Sequence, residues 1–437
     1  MEKNRVEESP RLSSLMPLGV FVVFYLGLSI CKHDFYGVSL PVAFIVASAA
    51  ALLQNGRRTL SEKVDIFVRS MGDGNIMIMC LVFILAGMFA ATAKAAGSVE
   101  AAVLIARHLI PENLILLGVF LVSCVISLAI GTSCGTIAAL TPIALGLVSG
   151  SALSPAMMVG AVIGGAMFGD NMSMISDTTI AATRTQNVEM RDKFLMNIKM
   201  VLPAAVAAVI FYIAAGRAGA GSSALAPVTW REIVNIVPYI VILIGALIGF
   251  NVMALLFGGT VLAAVLGIVS GVLEPWKALQ VAGDGSLGMS ETLIVALLSG
   301  GLLGVIRANG GIEFLLKKIS LMVKSRRGCE FGVALLVSVV NLFTANNTVA
   351  IVIAGPIARD MSLKYSCDPR RIASILDAAS CVIQGIIPYG AQILIAVGIA
   401  KEARVKLASL ELITLLIYPM FLGLALLASI LFSRKQN

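Results

Sequence analysis

Phe168-Gly169-Asp170-Asn171-Met172-Ser173-Met174-Ile175-Ser176-Asp177-Thr178-Thr179 interrupts an apolar stretch that begins near Met158, and its reading decides the fold. Two carboxylates stand where the flanking residues are apolar enough for lipid. Acids at membrane depth are costly unless they pair, face a water-filled cavity or bind an ion. Asp170 and Asp177 are therefore candidate functional residues, with Asn171 and Thr178 beside them in the same break. An acidic loop in water is the bland alternative, and the apolar segments on both sides argue against it.

The composition around this stretch agrees with a membrane setting. The 437 residues are 59% hydrophobic and 13% charged, with a mean hydropathy of +0.98, which points to an all-α polytopic membrane protein whose first partner is the lipid bilayer. No polar stretch exceeds roughly thirty residues, the size of a supersecondary motif. That leaves no room for a nucleic-acid-binding or soluble catalytic domain. The polar first fourteen residues precede an apolar run at 15–31 without a small-residue cleavage site, so the first span is expected to be retained. Seven cysteines form no C-x-x-C pair, and the two histidines, His33 and His108, stand at span ends. Neither a disulfide framework, a zinc site nor a bound cofactor is expected. An intramembrane enzyme is disfavoured as well: an aspartyl protease needs two facing aspartates, and the Asp-Asp-x-x-Asp cluster of prenyl transfer is absent.

Lys and Arg orient the chain. With the N-terminus inside, 23 of the 32 fall in the segments 1–14, 54–70, 184–199, 307–327, 359–371 and 434–437. These are predicted to be cytoplasmic, as are both termini, in a multi-pass protein of the cytoplasmic (inner) membrane. Several apolar runs, among them 135–149, 348–358 and 372–383, are too short to span a bilayer alone. Runs that short imply broken helices or re-entrant hairpins, covered by protein or water.

A repeat runs through the chain. Gly72-Asp73-Gly74 recurs as Gly283-Asp284-Gly285, and Pro142-Ile143-Ala144 as Pro356-Ile357-Ala358, at offsets of 211 to 214. Equivalent segments fall on opposite sides of the charge map, so the halves are expected to be inverted. The partition is then N-terminal spans and loop at 1–70, a first repeat at 71–216, linking spans at 217–282 and a second repeat at 283–437. Inverted repeats with interrupted helices are the plan of secondary transporters, whose site lies at the repeat interface.

Polar residues gather at the equivalent breaks. Gly131-Thr132-Ser133-Cys134-Gly135-Thr136 frees backbone carbonyls through its glycines and adds the hydroxyls of Thr132, Ser133 and Thr136, hard oxygens suited to Na⁺ or a polar solute. Its counterpart is Thr344-Ala345-Asn346-Asn347-Thr348, in which Asn346, Asn347 and Thr348 need partners in an apolar run. In the counterpart of the opening stretch, Asp377, Ser380 and Gln384 share one helix face before Pro388. Asp377 has a second reading as the partner of Arg371. The segments 131–136, 168–178, 344–348 and 384–390 are predicted to converge near the bilayer midplane.

Taken together, the Gly-Thr-Ser-x-Gly-Thr stretch at 131–136, Phe-Gly-Asp-x-x-Ser-x-x-Ser-Asp-Thr at 168–178, Asn-x-x-Thr-Ala at 341–345 and Leu-Asp…Ile-Pro-Tyr at 376–389 resemble the NhaC-type sodium/proton antiporters of the ion transporter superfamily. The resemblance covers nearly the whole chain and implies that Asp170, Ser173, Ser176 and Asp177 belong to the ion or substrate site. It departs from the family at Ala378, Asn346 and Tyr389. The function it implies is exchange of Na⁺ for H⁺ by alternating access, with Asp170 and Asp177 as Na⁺ ligands. The inferred deep charges are all acidic, and protons compete with Na⁺ for a carboxylate taken out of water. Asp170 is the expected exchanger, whereas Asp177, at a helix start, is expected to cap free amides. The alternative is an Na⁺- or H⁺-coupled carrier of an amino acid or organic acid, in which half-helix N-termini hold a carboxylate and Gln384, Tyr389 and Gln392 contact the solute. The partners are a monovalent cation or, in that alternative, a small organic solute too. A homodimer is compatible with the sequence.

Overall fold

The computed structural model describes residues 12–32, 39–148, 153–174, 176–218 and 227–432, and among these there is no strand. The terminal residues 1–11 and 433–437, on which the predicted sidedness of the termini rests, lie outside the described residues, as do His33 and Ile175.

The first half contains α1 Met16–Lys32, α2 Leu40–Leu53, α3 Leu60–Met71, α4 Gly74–Ala95, α5 Ser98–Leu109, α6 Ile115–Ile130, α7 Ser133–Val148, α8 Pro155–Met172, α9 Asp177–Gln186 and α10 Met190–Ala218. The second contains α11 Trp230–Asn235, α12 Val237–Leu247, α13 Val252–Val269, α14 Pro275–Gly288, α15 Ser290–Ala308, α16 Gly311–Met322, α17 Arg326–Thr344, α18 Asn347–Lys364, α19 Pro369–Ile386, α20 Ala391–Glu402, α21 Ser409–Thr414 and α22 Ile417–Leu431. Among the described residues, eight helical stretches are long and apolar enough to cross a membrane. Three of them are broken pairs: Pro155–Gln186 (α8 with α9), Pro275–Ala308 (α14 with α15) and Pro369–Glu402 (α19 with α20).

The repeat is visible in the helix boundaries. Helices α7, α8 and α9 start at Ser133, Pro155 and Asp177, and α18, α19 and α20 start at Asn347, Pro369 and Ala391, one constant offset further along the chain. The turns before α7 and α18 match as well. Gly131 has φ 73° and Ala345 has φ 47°, and each N–H donates to the carbonyl four residues back, Ser127 and Asn341, at 2.9 Å. Glycine takes this left-handed conformation freely, whereas alanine is strained in it. Side-chain bonds between helices repeat in the same way: Ser127 Oγ donates to the Ala166 carbonyl (2.5 Å), and Asn341 Nδ2 to that of Ser380 (2.7 Å).

Packing is reciprocal, as a two-fold relation between the halves requires. Helix α7 lies on α20 and α18 on α9; α4 lies on α14 and α15 on α3; α4 also meets α13, and α15 meets α2. Because α13 corresponds to α2 in these contacts, the correspondence takes in the helices that the sequence reading set aside as N-terminal and linking spans.

Glycine makes the closest crossings possible. A Cβ at Gly87 would lie 2.2 Å from the Gly285 carbonyl oxygen, so α4 and α14 touch backbone to backbone. On α8, a Cβ at Gly165 would lie 2.4 Å from the Phe120 oxygen, and one at Gly169 would lie 2.4 Å from the Leu128 nitrogen of α6. Between helices in lipid, association depends on such contact, because the surroundings are as apolar as the side chains. The α6–α8 crossing also fixes the position of the next residue, Asp170.

Candidate functional site

The last turn of α8 carries Asp170 and Asn171, and the chain then breaks at Ser173 before Ser176 caps α9. Asp170 is 7% exposed. Its Oδ1 accepts from Ser176 Oγ at 2.5 Å and its Oδ2 from Ser133 Oγ, at the start of α7, at 2.8 Å. Two hydroxyl donors on two carboxylate oxygens are the arrangement of an ionised acid. Ser176 Oγ also lies 2.9 Å from Thr178 Oγ1, so Thr178 joins the cluster.

From Ser133 the bonds continue into the second half. Gln392 Nε2, on the first turn of α20, donates to Ser133 Oγ at 3.0 Å. Gln384 Nε2, on the last turn of α19, donates to Gln392 Oε1 at 2.9 Å and to the Ala345 carbonyl at 2.9 Å. One continuous chain of bonds thus joins all four breaks, from Ser176 through Asp170, Ser133, Gln392 and Gln384 to Ala345. Gln392 belongs to this chain although it falls just outside the predicted segment 384–390.

A second network lies beside the first. Lys193, on the first turn of α10, is 1% exposed. Its ammonium meets the Asp377 carboxylate, the Asn171 carbonyl (2.9 Å) and Thr179 Oγ1 (2.9 Å), which uses all three of its N–H bonds. Asn197, one turn along α10, donates to the Asn171 carbonyl and side-chain oxygen at 2.9 and 2.5 Å. Ser380 Oγ donates to the Asp377 carbonyl at 2.9 Å.

These contacts correct three expectations. The deep charges are not all acidic, because Lys193, counted in the sequence with the solvent-facing charges of 184–199, is buried here. Asp377 takes Lys193 rather than Arg371, whose guanidinium instead forks onto Glu330 at 2.8 and 2.9 Å. Asp177 is exposed at the first position of α9, and the side-chain oxygen that caps that helix is that of Ser176 rather than of Asp177. The signal for Lys193 was legible: Lys193 and Asn197 stand four apart on the stripe that continues through Val201, Ala204 and Ala208, all buried. A lysine that prolongs an apolar face is itself a buried residue.

Other predicted residues stand at the edges. Thr136 is buried, but its hydroxyl donates to the carbonyl of Thr132, just before α7 (3.2 Å), and Ser173 is buried at the break. Asn346, Asn347 and Thr348 are half-buried at the start of α18; Asn346 Oδ1 caps the Val349 N–H (3.0 Å) and Asn347 Oδ1 the Thr348 N–H (3.1 Å). Tyr389 donates its hydroxyl to the Leu342 carbonyl (2.5 Å), and its ring meets Phe21 and Phe44 edge-on. In this arrangement Tyr389 joins α1 and α2 to the second-half break. Among the described residues, no three His, Cys, Asp or Glu side chains gather as a metal cluster.

Comparison with known proteins follows the same outline. The model of the Na⁺/H⁺ antiporter family matches residues 13–217 and 220–433. The malate-2H⁺/Na⁺-lactate antiporter of Bacillus subtilis is 22% identical over 415 residues, 86% of each chain. The arginine/ornithine antiporter ArcD of Halobacterium salinarum is 24% identical over 414 residues, 86% of this chain and 83% of that protein. The Na⁺/H⁺ antiporter NhaC of Alkalihalophilus pseudofirmus is 24% identical over 341 residues, 71% of this chain and 73% of its own.

Proposed function

Because the chain belongs to the Na⁺/H⁺ antiporter family, we propose that it exchanges Na⁺ for H⁺ across the cytoplasmic membrane by alternating access, and that the two cations compete for Asp170. The observation that carries this reading is the charge balance of the site. Asp377 is paired with Lys193, so Asp170 is the carboxylate of the site whose charge no described side chain offsets. One proton or one monovalent cation neutralises it. The hydroxyls of Ser133, Ser176 and Thr178 supply hard oxygens around that carboxylate, suited to a desolvated Na⁺.

In this scheme the deprotonated site takes Na⁺ from one side, releases it to the other, and returns carrying a proton. The site lies near the bilayer midplane, both termini face the cytoplasm, and no cofactor takes part beyond the exchanged ions. The protein acts as a carrier and not as an enzyme. It works as a monomer or as a homodimer, since all the site residues come from one chain.

The similarity to the malate/lactate and arginine/ornithine antiporters supports the second reading, ion-coupled transport of an organic solute. The geometry favours it less. Lys193 has no free N–H for a carboxylate, and Asn346 and Asn347 already occupy amides at the start of α18. The test is purified protein in proteoliposomes with an imposed pH gradient. Addition of NaCl alone should dissipate the gradient; a requirement for malate, lactate, arginine or ornithine would replace antiport with the carrier reading.

A further inference from the structure

The Lys193 ammonium is surrounded by oxygens drawn from three helices. Asn171 offers its carbonyl from the last turn of α8, Thr179 its hydroxyl from the start of α9, and Asp377 its carboxylate from α19. Two further oxygens close by have no hydrogen-bond donor: Asp377 Oδ1, and Asn197 Oδ1, whose own Nδ2 shares the Asn171 carbonyl at 2.9 Å. Both residues are at most 1% exposed. Carboxylate, carbonyl, hydroxyl and amide oxygens around one positive charge are the ligand set of a hard cation such as Na⁺. The cluster adjoins the Asp170 site: Asn171 follows Asp170 in the chain, and Cys381 Sγ, one turn beyond Asp377, donates to the carbonyl of Met167, one turn before Asp170, at 3.6 Å. It is no by-product of the repeat, because the equivalents of Asp377, Lys193 and Thr179 at the same offset are Ile163, Leu407 and Ile393. A buried ion pair is seldom more stable than the apolar residues that could replace it, so packing alone gives no reason for a lysine at this depth.

We propose that Lys193 is a tethered cation filling a second Na⁺ site, so that the protein carries one free monovalent cation where its oxygens would otherwise hold two. The charges set this number. Asp170 and Asp377 bring two negative charges, and Lys193 returns one positive charge that never leaves the protein. One exchangeable cation then balances Asp170. Without the ammonium, the oxygens of Asn171, Thr179 and Asp377 lose their common donor, and a Na⁺ in its place restores both the contacts and the charge. The inference rests on the Na⁺/H⁺ reading, in which Asp170 takes the exchanged ion, and extends it to the number of ions bound.

The experiment measures equilibrium binding of radioactive sodium to the purified full-length protein in detergent at alkaline pH, and follows thermal unfolding in NaCl against equal choline chloride. The parent should bind one Na⁺ per chain. Lys193→Ala, which removes the ammonium and opens its space, should double that to two, and Lys193→Ala/Asp170→Asn should bind one. Lys193→Met/Asp377→Leu fills the space with apolar side chains and should bind one, as the parent does. The unfolding temperature lost in Lys193→Ala should be recovered by NaCl and not by choline chloride. A lysine with only a structural role would lower that temperature without adding a bound ion. One Na⁺ or none in Lys193→Ala, two in Lys193→Met/Asp377→Leu, or a Lys193→Ala protein that NaCl does not refold would each overturn the proposal. A parent that binds no Na⁺ would remove the exchange reading and this inference together, whereas one Na⁺ in both the parent and Lys193→Ala would remove this inference alone.

Discussion

Replacing Lys193 by methionine removes the ammonium and keeps the length of the side chain. The carboxylate of Asp377, 1% exposed, then stands without a described donor, since its Oδ2 is bonded by Lys193 and its Oδ1 has no partner. The Asn171 carbonyl keeps Asn197, and Thr179 loses one contact. Breaking a buried ion pair from one side costs about 3–5 kcal/mol, most of it the penalty of the abandoned charge. Asp377→Asn should cost less, because the ammonium keeps two acceptors. The double variant Lys193→Met/Asp377→Leu removes both charges and should recover at least about 2 kcal/mol of the Lys193→Met loss, because apolar replacements of buried pairs are often neutral. Chemical unfolding in detergent micelles, followed by tryptophan fluorescence across the cycle, measures all three. Lys193→Met within about 1 kcal/mol of the parent, or a double variant less stable than either single one, would refute the description of Lys193 and Asp377 as a closed, desolvated pair.

The same geometry sets other outcomes. Asp170→Asn should keep the fold and abolish Na⁺-driven dissipation of a pH gradient between pH 6 and 9, whereas exposed Asp177→Asn should retain partial flux with weakened apparent Na⁺ affinity; normal flux in Asp170→Asn would place the exchanging carboxylate elsewhere. Ser133→Ala removes a hydrogen bond to a charged group, about 1.5–3 kcal/mol, and separates Gln392 from Asp170, so the apparent Na⁺ affinity should weaken by roughly tenfold or more in titrated flux. Ala345→Gly relieves a left-handed alanine and should raise stability by about 1 kcal/mol in the same unfolding assay. Gly169→Ala forces a methyl onto the α6 backbone and should cost about 1–3 kcal/mol with a displaced Asp170 and slowed flux.

What could be read in the letters, and what could not, follows from range. The breaks at 131–136 and 168–178 were legible because glycine and polar residues interrupt apolar periodicity locally, and their mates in the second half carry the same interruption. Partners were not legible, because a carboxylate is matched by whatever the fold brings up. Arg371 stands close before Asp377 in the chain, yet it turns to Glu330, while the actual partner of Asp377 comes from α10, 184 residues earlier. Lys193 looks like a topological charge within 184–199, but its spacing to Asn197 and Val201 places it on an apolar face. At Asp177 the ambiguity is local: one helical start offers both a capping position and an exposed one, and the capping one belongs to Ser176.

The glycines of α8 have a consequence for how the molecule can change shape. At the second-half positions equivalent to Gly165 and Gly169, α19 carries Ala379 and Ile383. Helices α6 and α8 are therefore keyed together main chain to main chain, and sliding one past the other would drive a peptide into a peptide. Side chains stand between α17 and α19, and side chains can change rotamer. The two halves share a plan but differ in stiffness, so the first half acts as the anvil and the second as the part that yields. Backbone amides of α17 and α19 should exchange with deuterated solvent ahead of their counterparts in α6 and α8, and the direction in which the molecule relaxes after each turnover would be set by that imbalance.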